Sequence, residues 1–412
     1  MNESENITKN SRKKLLSEHK NFRYTIFGMI YLHQGFIEVF MYIYMALYLL
    51  SFGISILYIG LSIAIGNAPW IVKPIYGVLS DRKGFGNWGR RIPYMLIGSF
   101  FSAILFFMLI PVNPSTAWVI FVSIIAAANF FNAFCDTATD GLIVDTTAPE
   151  KRGTAQSICW GSKFTGYVTA AILVGFMIEI LGWGLYFIFM GFFLLIPIPL
   201  LLISQEPHFD VPEKFPKKDI KDTFKQKLVW LVLMFFIVSG IGLYIILSML
   251  PLFLKLELNL SLSLVGIIMS IGYVSFLVGC LVSGPILDRL SRRVSIALSI
   301  IILAIIIFLV SLTQDLTMAI IFMILAGLSW GIFQIAEMML SMDFCKKTIS
   351  ATMYSFYMSI INLGQMIGAI IGAILVQMFG FRIAFVCAAF VVLSTLILVY
   401  FMKGTETLFI EE

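Results

Sequence analysis

Six ionisable side chains, Glu38, Lys73, Asp136, Asp140, Lys163 and Glu337, interrupt stretches of the 412-residue sequence that are otherwise almost wholly apolar. A charge set alone in hydrocarbon costs about 2.5–3.5 kcal/mol on insertion scales, so such groups face a protein interior or a wet cavity. Asn129, Asn132, Asp136 and Asp140 recur at intervals of three, four and four, which on a helix puts them on one stripe. That stripe either faces a cavity or bonds helix to helix. Lys73 precedes Asp81 by eight residues and Asp136 precedes Asp145 by nine. Each therefore lies about 12–14 Å up its helix from the same face, at ~1.5 Å per residue. In that shared layer a pair across two helices lowers the burial cost of both, and Lys163 can reach the same layer from the next helix. Each lysine serves either a solute or only its neighbouring carboxylate.

Four acids against two bases leave an excess of negative charge in a low dielectric, and proton uptake relieves it. The chemistry expected is reversible capture of a small polar or anionic solute, with Glu38, Asp136 and Asp140 as proton carriers. Sodium held by carboxylates and nearby asparagines is the other cation that fits. His33 and Gln34 lie about a turn before Glu38. Trp160 shares a helical face with Gln156 and Lys163, as Trp330 does with Gln334 and Glu337; each set suits either a flat ring held by stacking or ordinary packing.

The elements that carry these groups are set by composition. Hydrophobic residues make up 60% of the chain and charged ones 12%, against about 45–50% and 25% in soluble domains. The mean hydropathy is +0.97. That balance excludes a soluble enzyme, and continuous apolar runs point to helices, not to a barrel. Twelve spans are expected, near 24–51, 57–79, 93–112, 116–144, 154–180, 184–204, 228–254, 262–286, 294–312, 317–341, 350–378 and 382–402. The chain then reads as an all-α membrane protein with an N-terminal segment (1–23), a six-helix bundle (24–204), a polar linker (205–227), a second six-helix bundle (228–402) and a tail (403–412). Alternate loops, counted from the N-terminus, hold 24 of the 28 Lys and Arg, so both termini are expected in the cytoplasm. The apolar run after the basic N-terminus is too long for a signal-peptide core and lacks a cleavage site, so the N-terminus is expected to be retained in a protein of the cell membrane. The linker lysines either meet anionic lipid head groups or stay solvated.

Five scattered cysteines show no metal or redox spacing, and no nucleophile–base pair, phosphate loop or nucleic-acid motif stands out. No cofactor, metal or nucleic acid is expected, and a self-contained bundle makes a monomer the default.

The halves repeat. GVLSDRKGFGNWGRR (77–91) follows the second span and GPILDRLSRR (284–293) the eighth, with Asp81 and Asp288 207 residues apart. Parallel six-helix repeats mark the major facilitator superfamily, and the Gly-x-Leu-x-Asp-Arg loop resembles its cytoplasmic signature. PWIVKPIYGVLSDRKGFGNWGRRIPY (69–94), DTATDGLIVD (136–145) and AQSICWGSKFTG (155–166) resemble the folate-biopterin transporter family over the second to fifth helices. The resemblance implies alternating access, a pteridine or folate as solute, and a cavity walled by the first, fourth, seventh and tenth helices, with Glu38, Asp136, Asp140 and Glu337 as wall residues. It also implies a cytoplasmic gate of Gly77, Asp81, Arg90 and Arg91 with Asp145 and Arg152 as partners. A second gate loop at Asp288 and Arg289 departs from the pattern through Pro285 and its shorter length.

Sugar:cation symporters share the Arg-x-Pro-Tyr ending but carry acids on helix two where this chain has Lys73; muropeptide and acetyl-CoA permeases are more distant. Another class with the same fold, a non-transporting sensor, assembly factor or scramblase, has no need of the buried charges.

Overall fold

The computed structural model describes residues 14–82, 84–85, 89–148, 151–207, 223–287, 289–344 and 350–402, without the side chains of 81–82, 152–153, 285 and 350–352. It is helical throughout, apart from a two-residue parallel pairing of β1 (Lys14–Leu15) with β2 (Ser204–Gln205). The helices are α1 (Lys20–Ser51), α2 (Ile56–Ser80), α3 (Ile92–Met108), α4 (Trp118–Thr146), α5 (Arg152–Leu195) and α6 (Pro197–Leu202). They continue with α7 (Lys227–Leu256), α8 (Leu262–Leu287), α9 (Arg292–Ser311), α10 (Leu316–Asp343), α11 (Ser350–Phe379) and α12 (Phe381–Phe401). Among the described residues ten helical runs are long and apolar enough to cross a membrane, and α3 is a shorter apolar helix.

Helices form because a backbone in hydrocarbon has no other way to satisfy its N–H and C=O groups. Their ends are set by residues that cannot continue them. Gly182 (φ 80°) breaks α5 in mid-course, and Gly380 (φ 82°) separates α11 from α12; an L side chain at either φ would be strained. Asp315 caps α10 by accepting the Met318 N–H at 2.8 Å. α1 and α2 also carry irregular turns. In α1 a π-turn occupies Phe40–Tyr44, two residues past Glu38, and in α2 a 3-10 turn occupies Ala68–Val72, directly before Lys73. Pro74 has no N–H to give the Trp70 carbonyl, which is one cause of the second irregularity.

The chain divides into two compact units. The first is Met1–Val39, Val72–Ala170 and Ile180–Glu213. In it α4 packs against α3 and the lower part of α2, around a core that includes Phe27, Phe106, Phe121 and Phe187. The second is Phe40–Ile71, Ala171–Glu179 and Lys214–Glu412. Here α7 packs on α11 and α12, α8 on α10, and the Ile56–Asn67 part of α2 on α11, with Phe235, Phe236, Phe253, Phe333 and Tyr357 fully buried. The outward faces are apolar, with Leu281 69%, Phe390 66% and Ile180 76% exposed, as a lipid solvent requires.

Candidate functional site

The first unit gathers charge from four helices. Lys73, at the point where α2 returns from its 3-10 turn to regular helix, donates to Asp136 Oδ2 at 2.5 Å and to Asp140 Oδ2 at 3.1 Å, both on α4. The Tyr31 hydroxyl of α1 donates to the other oxygen of Asp140. Asp136 is almost sealed, whereas the Asp140 side chain is 39% exposed, so the α4 polar stripe is buried from Asn129 to Asp136 and opens at its last member. One ammonium serving two carboxylates leaves this cluster one negative charge in excess.

Lys163 makes its ion pair with a different carboxylate. It pairs with Glu38 of α1 at 2.8 Å, and Glu38 also accepts the Tyr167 hydroxyl. The pair exists because α1 and α5 touch backbone to backbone: a Cβ on Gly35 would stand 2.5 Å from the Lys163 carbonyl and 3.0 Å from Gly166 Cα. The Lys163 ammonium also lies 5.1 Å from the Trp160 ring centroid and 5.7 Å from that of Tyr167, close enough for cation–π attraction. The Trp160 ring itself is open, at 41% exposed. Buried charges of this kind are tolerable only when paired and hydrogen-bonded, and both lysines meet that condition.

Other sequence candidates nearby have different surroundings. His33 is buried with its ring 4.3 Å from Phe193, edge to face, in an aromatic contact. Gln34 Oε1 and Asn132 Nδ2 are buried and find no hydrogen-bond partner among the described residues.

In the second unit Glu337 of α10 is 3% exposed, and the hydroxyl of Ser239 on α7 donates to it at 2.8 Å. The charged residues of the helices packed around it, Lys227, Lys255, Arg292, Arg293 and Arg382, all lie at helix ends. Three residues and one further turn earlier respectively, Gln334 is half-buried and Trp330 packs on Phe276 with ring centroids 4.4 Å apart. The indole N–H of Trp330 is buried without a partner among the described residues.

The loop after α2 forms its own network. Arg90 Nη2 and Arg91 Nε donate to Asp145 Oδ2 at 3.0 and 3.1 Å, and Arg91 Nη1 donates to the buried Ser80 hydroxyl at 2.6 Å. Gly141, after Asp140, lies beneath the Arg91 guanidinium, where a Cβ would collide with it. A Cβ on Gly77 would stand 3.8 Å from the Thr137 methyl group of α4, in ordinary contact. The side chains of Asp81 and Arg152, and all of Asp288, lie outside the described residues, and Arg289 is exposed.

Sequence reading missed the residues that complete these networks. Glu206, just past β2, accepts the backbone N–H groups of Arg90, Arg91 and Ile92 at 2.9, 2.7 and 2.5 Å, and so caps α3 and holds the arginine pair. Burial lifts its carboxyl above the ordinary carboxylate range, against the pull of the three amides. Tyr31 stands two turns before Glu38 and Tyr167 one turn after Lys163, a spacing that helical periodicity could have flagged. Nothing in the sequence marks Ser239 or Glu206.

Comparison with known proteins bears on what such a site does. The family model described as Major Facilitator Superfamily matches residues 26–360 and again 239–408. A folate-biopterin transporter of Synechocystis is 29% identical over 185 residues, 43% of this chain and 35% of the relative. A probable folate-biopterin transporter of Arabidopsis thaliana is 28% identical over 27% of this chain and 23% of its own length. These matches span only about a quarter to a third of those relatives. The anhydromuropeptide permease of Escherichia coli is 25% identical over 76% of this chain and 66% of its own. Among solved structures, a bacterial homologue of the human lysosomal transporter Spinster superposes with a TM-score of 0.78 at 16% identity, over 94% of this chain and 98% of that one. A nucleoside transporter superposes with a TM-score of 0.74 at 15% identity, over 93% and 98%.

Proposed function

As the chain belongs to the major facilitator superfamily, we propose that it is a proton-coupled secondary carrier which moves a small polar or anionic organic solute by alternating access. The observation that carries this reading is the Lys73–Asp136–Asp140 cluster, two carboxylates on one ammonium inside apolar helices. An anionic solute that takes Lys73 as its partner leaves an aspartate without one. A proton bound at that aspartate restores the balance, so solute and proton move as a neutral pair and neither charge crosses alone. Asp140, the more exposed member, is where the proton enters. Trp160 and Lys163 offer a ring and a cation to a flat anionic solute, and Glu337, held by Ser239, is the buried acid of the second unit. Arg90 and Arg91 on Asp145 belong to the cytoplasmic gate.

Ten long apolar helices, the shorter α3 and the break of the Thr154–Leu202 run at Gly182 support twelve crossings, taken as two bundles of six. The Lys and Arg bias supports a cell-membrane protein with both termini in the cytoplasm, and one chain suffices for the pathway. The matched relatives are transporters and permeases, which speaks for carriage and not for catalysis. The solutes those relatives are named for make pteridines and folates the first compounds to try and muropeptides the second.

The test uses the purified protein in proteoliposomes. Thermal stabilisation in detergent across pteridines, folates, sugars and amino acids identifies a ligand, whose counterflow and uphill uptake are then followed under imposed gradients. Accumulation driven by an inward proton gradient is the expected result. Accumulation driven by sodium, or by neither ion, would sink the coupling, and a ligand that binds without counterflow would favour a sensor.

A further inference from the structure

The second compact unit contains two pieces of chain from the N-terminal half, residues 40–71 and 171–179. The longer piece is the hairpin formed by the end of α1 and the start of α2. On α2, Gly60 lies so close to Ala369 and Ala373 of α11 that a Cβ would overlap them. On α1, the Tyr42 ring meets Tyr244 of α7 edge to face, 6.1 Å between centroids. Asn362 of α11 donates to the Trp70 carbonyl at 3.4 Å, the carbonyl that Pro74 cannot serve.

The shorter piece, on α5, meets α8 even more tightly. Gly266 of α8 has no room for a side chain against the Ala171 carbonyl and the Tyr44 hydroxyl, and Gly175 of α5 is pressed on Leu262 and Ser263. Just beyond, Glu179 accepts the Ser263 N–H at 3.1 Å on one carboxylate oxygen and the Ser263 hydroxyl at 2.7 Å on the other. A carboxylate from α5 thus caps the amino terminus of α8, where the helix dipole favours negative charge.

Both ends of the hairpin are places where regular helix fails. The chain enters the second unit at the π-turn Phe40–Tyr44 and leaves it at the 3-10 turn Ala68–Val72. Such turns lack the regular hydrogen-bond ladder and are where helices bend at least cost. Glycine-to-backbone contacts separate without breaking polar bonds; the Glu179 cap and the Asn362 contact are polar bonds that must break.

We propose that Glu179 is the latch of a gate where α5 meets the start of α8, on the membrane side opposite the α5 start at Arg152, and that this gate opens by bending α1 and α2 at their two irregular turns. The proposal rests on the carrier reading for its purpose, since a non-transporting protein has no need to open there. Its test does not depend on a solute.

Ser270, one turn beyond Gly266 on the same face of α8, is 4% exposed, and Ser270→Cys is nearly isosteric. In lipid nanodiscs, the rate at which a hydrophilic maleimide modifies the thiol introduced by Ser270→Cys reports opening, read by mass spectrometry of the peptide. The native buried Cys135 in the first unit reports general loosening. Loss of a carboxylate at an exposed helix amino terminus shifts the closed-to-open ratio by about two- to five-fold. Added to Ser270→Cys, Glu179→Gln and Ser263→Ala should therefore speed labelling of the introduced thiol by that factor, and Glu179→Lys by more, with Cys135 unchanged. Equal labelling at position 270 in all variants, or a parallel rise at Cys135, would overturn the latch. If Glu179→Lys fails to fold, the two milder variants decide. Faster labelling in a protein that moves no solute would leave the latch standing and remove the carrier reading.

Discussion

Lys73 is held by two carboxylates and in turn keeps both tolerable inside an apolar bundle. Removing it alone leaves Asp136, which is almost fully buried, without its ion-pair partner. Breaking one side of a buried pair costs about 3–5 kcal/mol, whereas neutralising both sides costs far less. Lys73→Met should therefore lower the thermal stability of the detergent-solubilised protein sharply, and Lys73→Met with Asp136→Asn should recover most of it, though neither transports. Equal melting of the single and double variants would show that the pair is not coupled. This contact was legible beforehand, because counting residues from the loops put Lys73 and Asp136 at one depth. The Lys163 partner was not: depth along a helix says nothing of rotation, and the rotation of α5 turns Lys163 to Glu38.

Helices were the most readable level. Apolar length implies a helix in lipid whatever the side-chain detail: ten of the helical runs among the described residues are long and apolar enough to cross, α3 is shorter, and the expected spans 154–180 and 184–204 fall together in the apolar run Thr154–Leu202 and its end. Irregularities inside helices were not readable, since a π-turn or a Pro-induced 3-10 turn arises from how neighbours take up the displaced backbone groups. The crossing of α1 and α5 depends on Gly35 meeting Gly166. Gly35→Ala should push the helices apart, cost about 1–3 kcal/mol as overpacking does, and abolish uptake by separating Glu38 from Lys163. Gly161→Ala, with open space around it, is the matched control. If both variants melt and transport like the parent, the crossing does not set the Glu38–Lys163 pair.

At the scale of the whole molecule, the charge asymmetry of the loops predicts that tags on either terminus react with antibody only after the membrane is made permeable. A tag accessible in intact cells would reverse the topology and with it the side assigned to the Arg90–Arg91 loop. Composition and spacing by themselves determined the membrane environment, the helical class, the family resemblance and the polar layer near Lys73 and Asp136. Each of these follows from local cost: what a residue pays in hydrocarbon, and where a helix of known rise carries it. Only the tertiary structure decided which acid answers which base, that Glu206 gathers three amides of a distant loop, and that residues 40–71 pack with the C-terminal helices. Those outcomes turn on helix rotation and on backbone approach at glycines, quantities set by contacts between segments far apart in the chain.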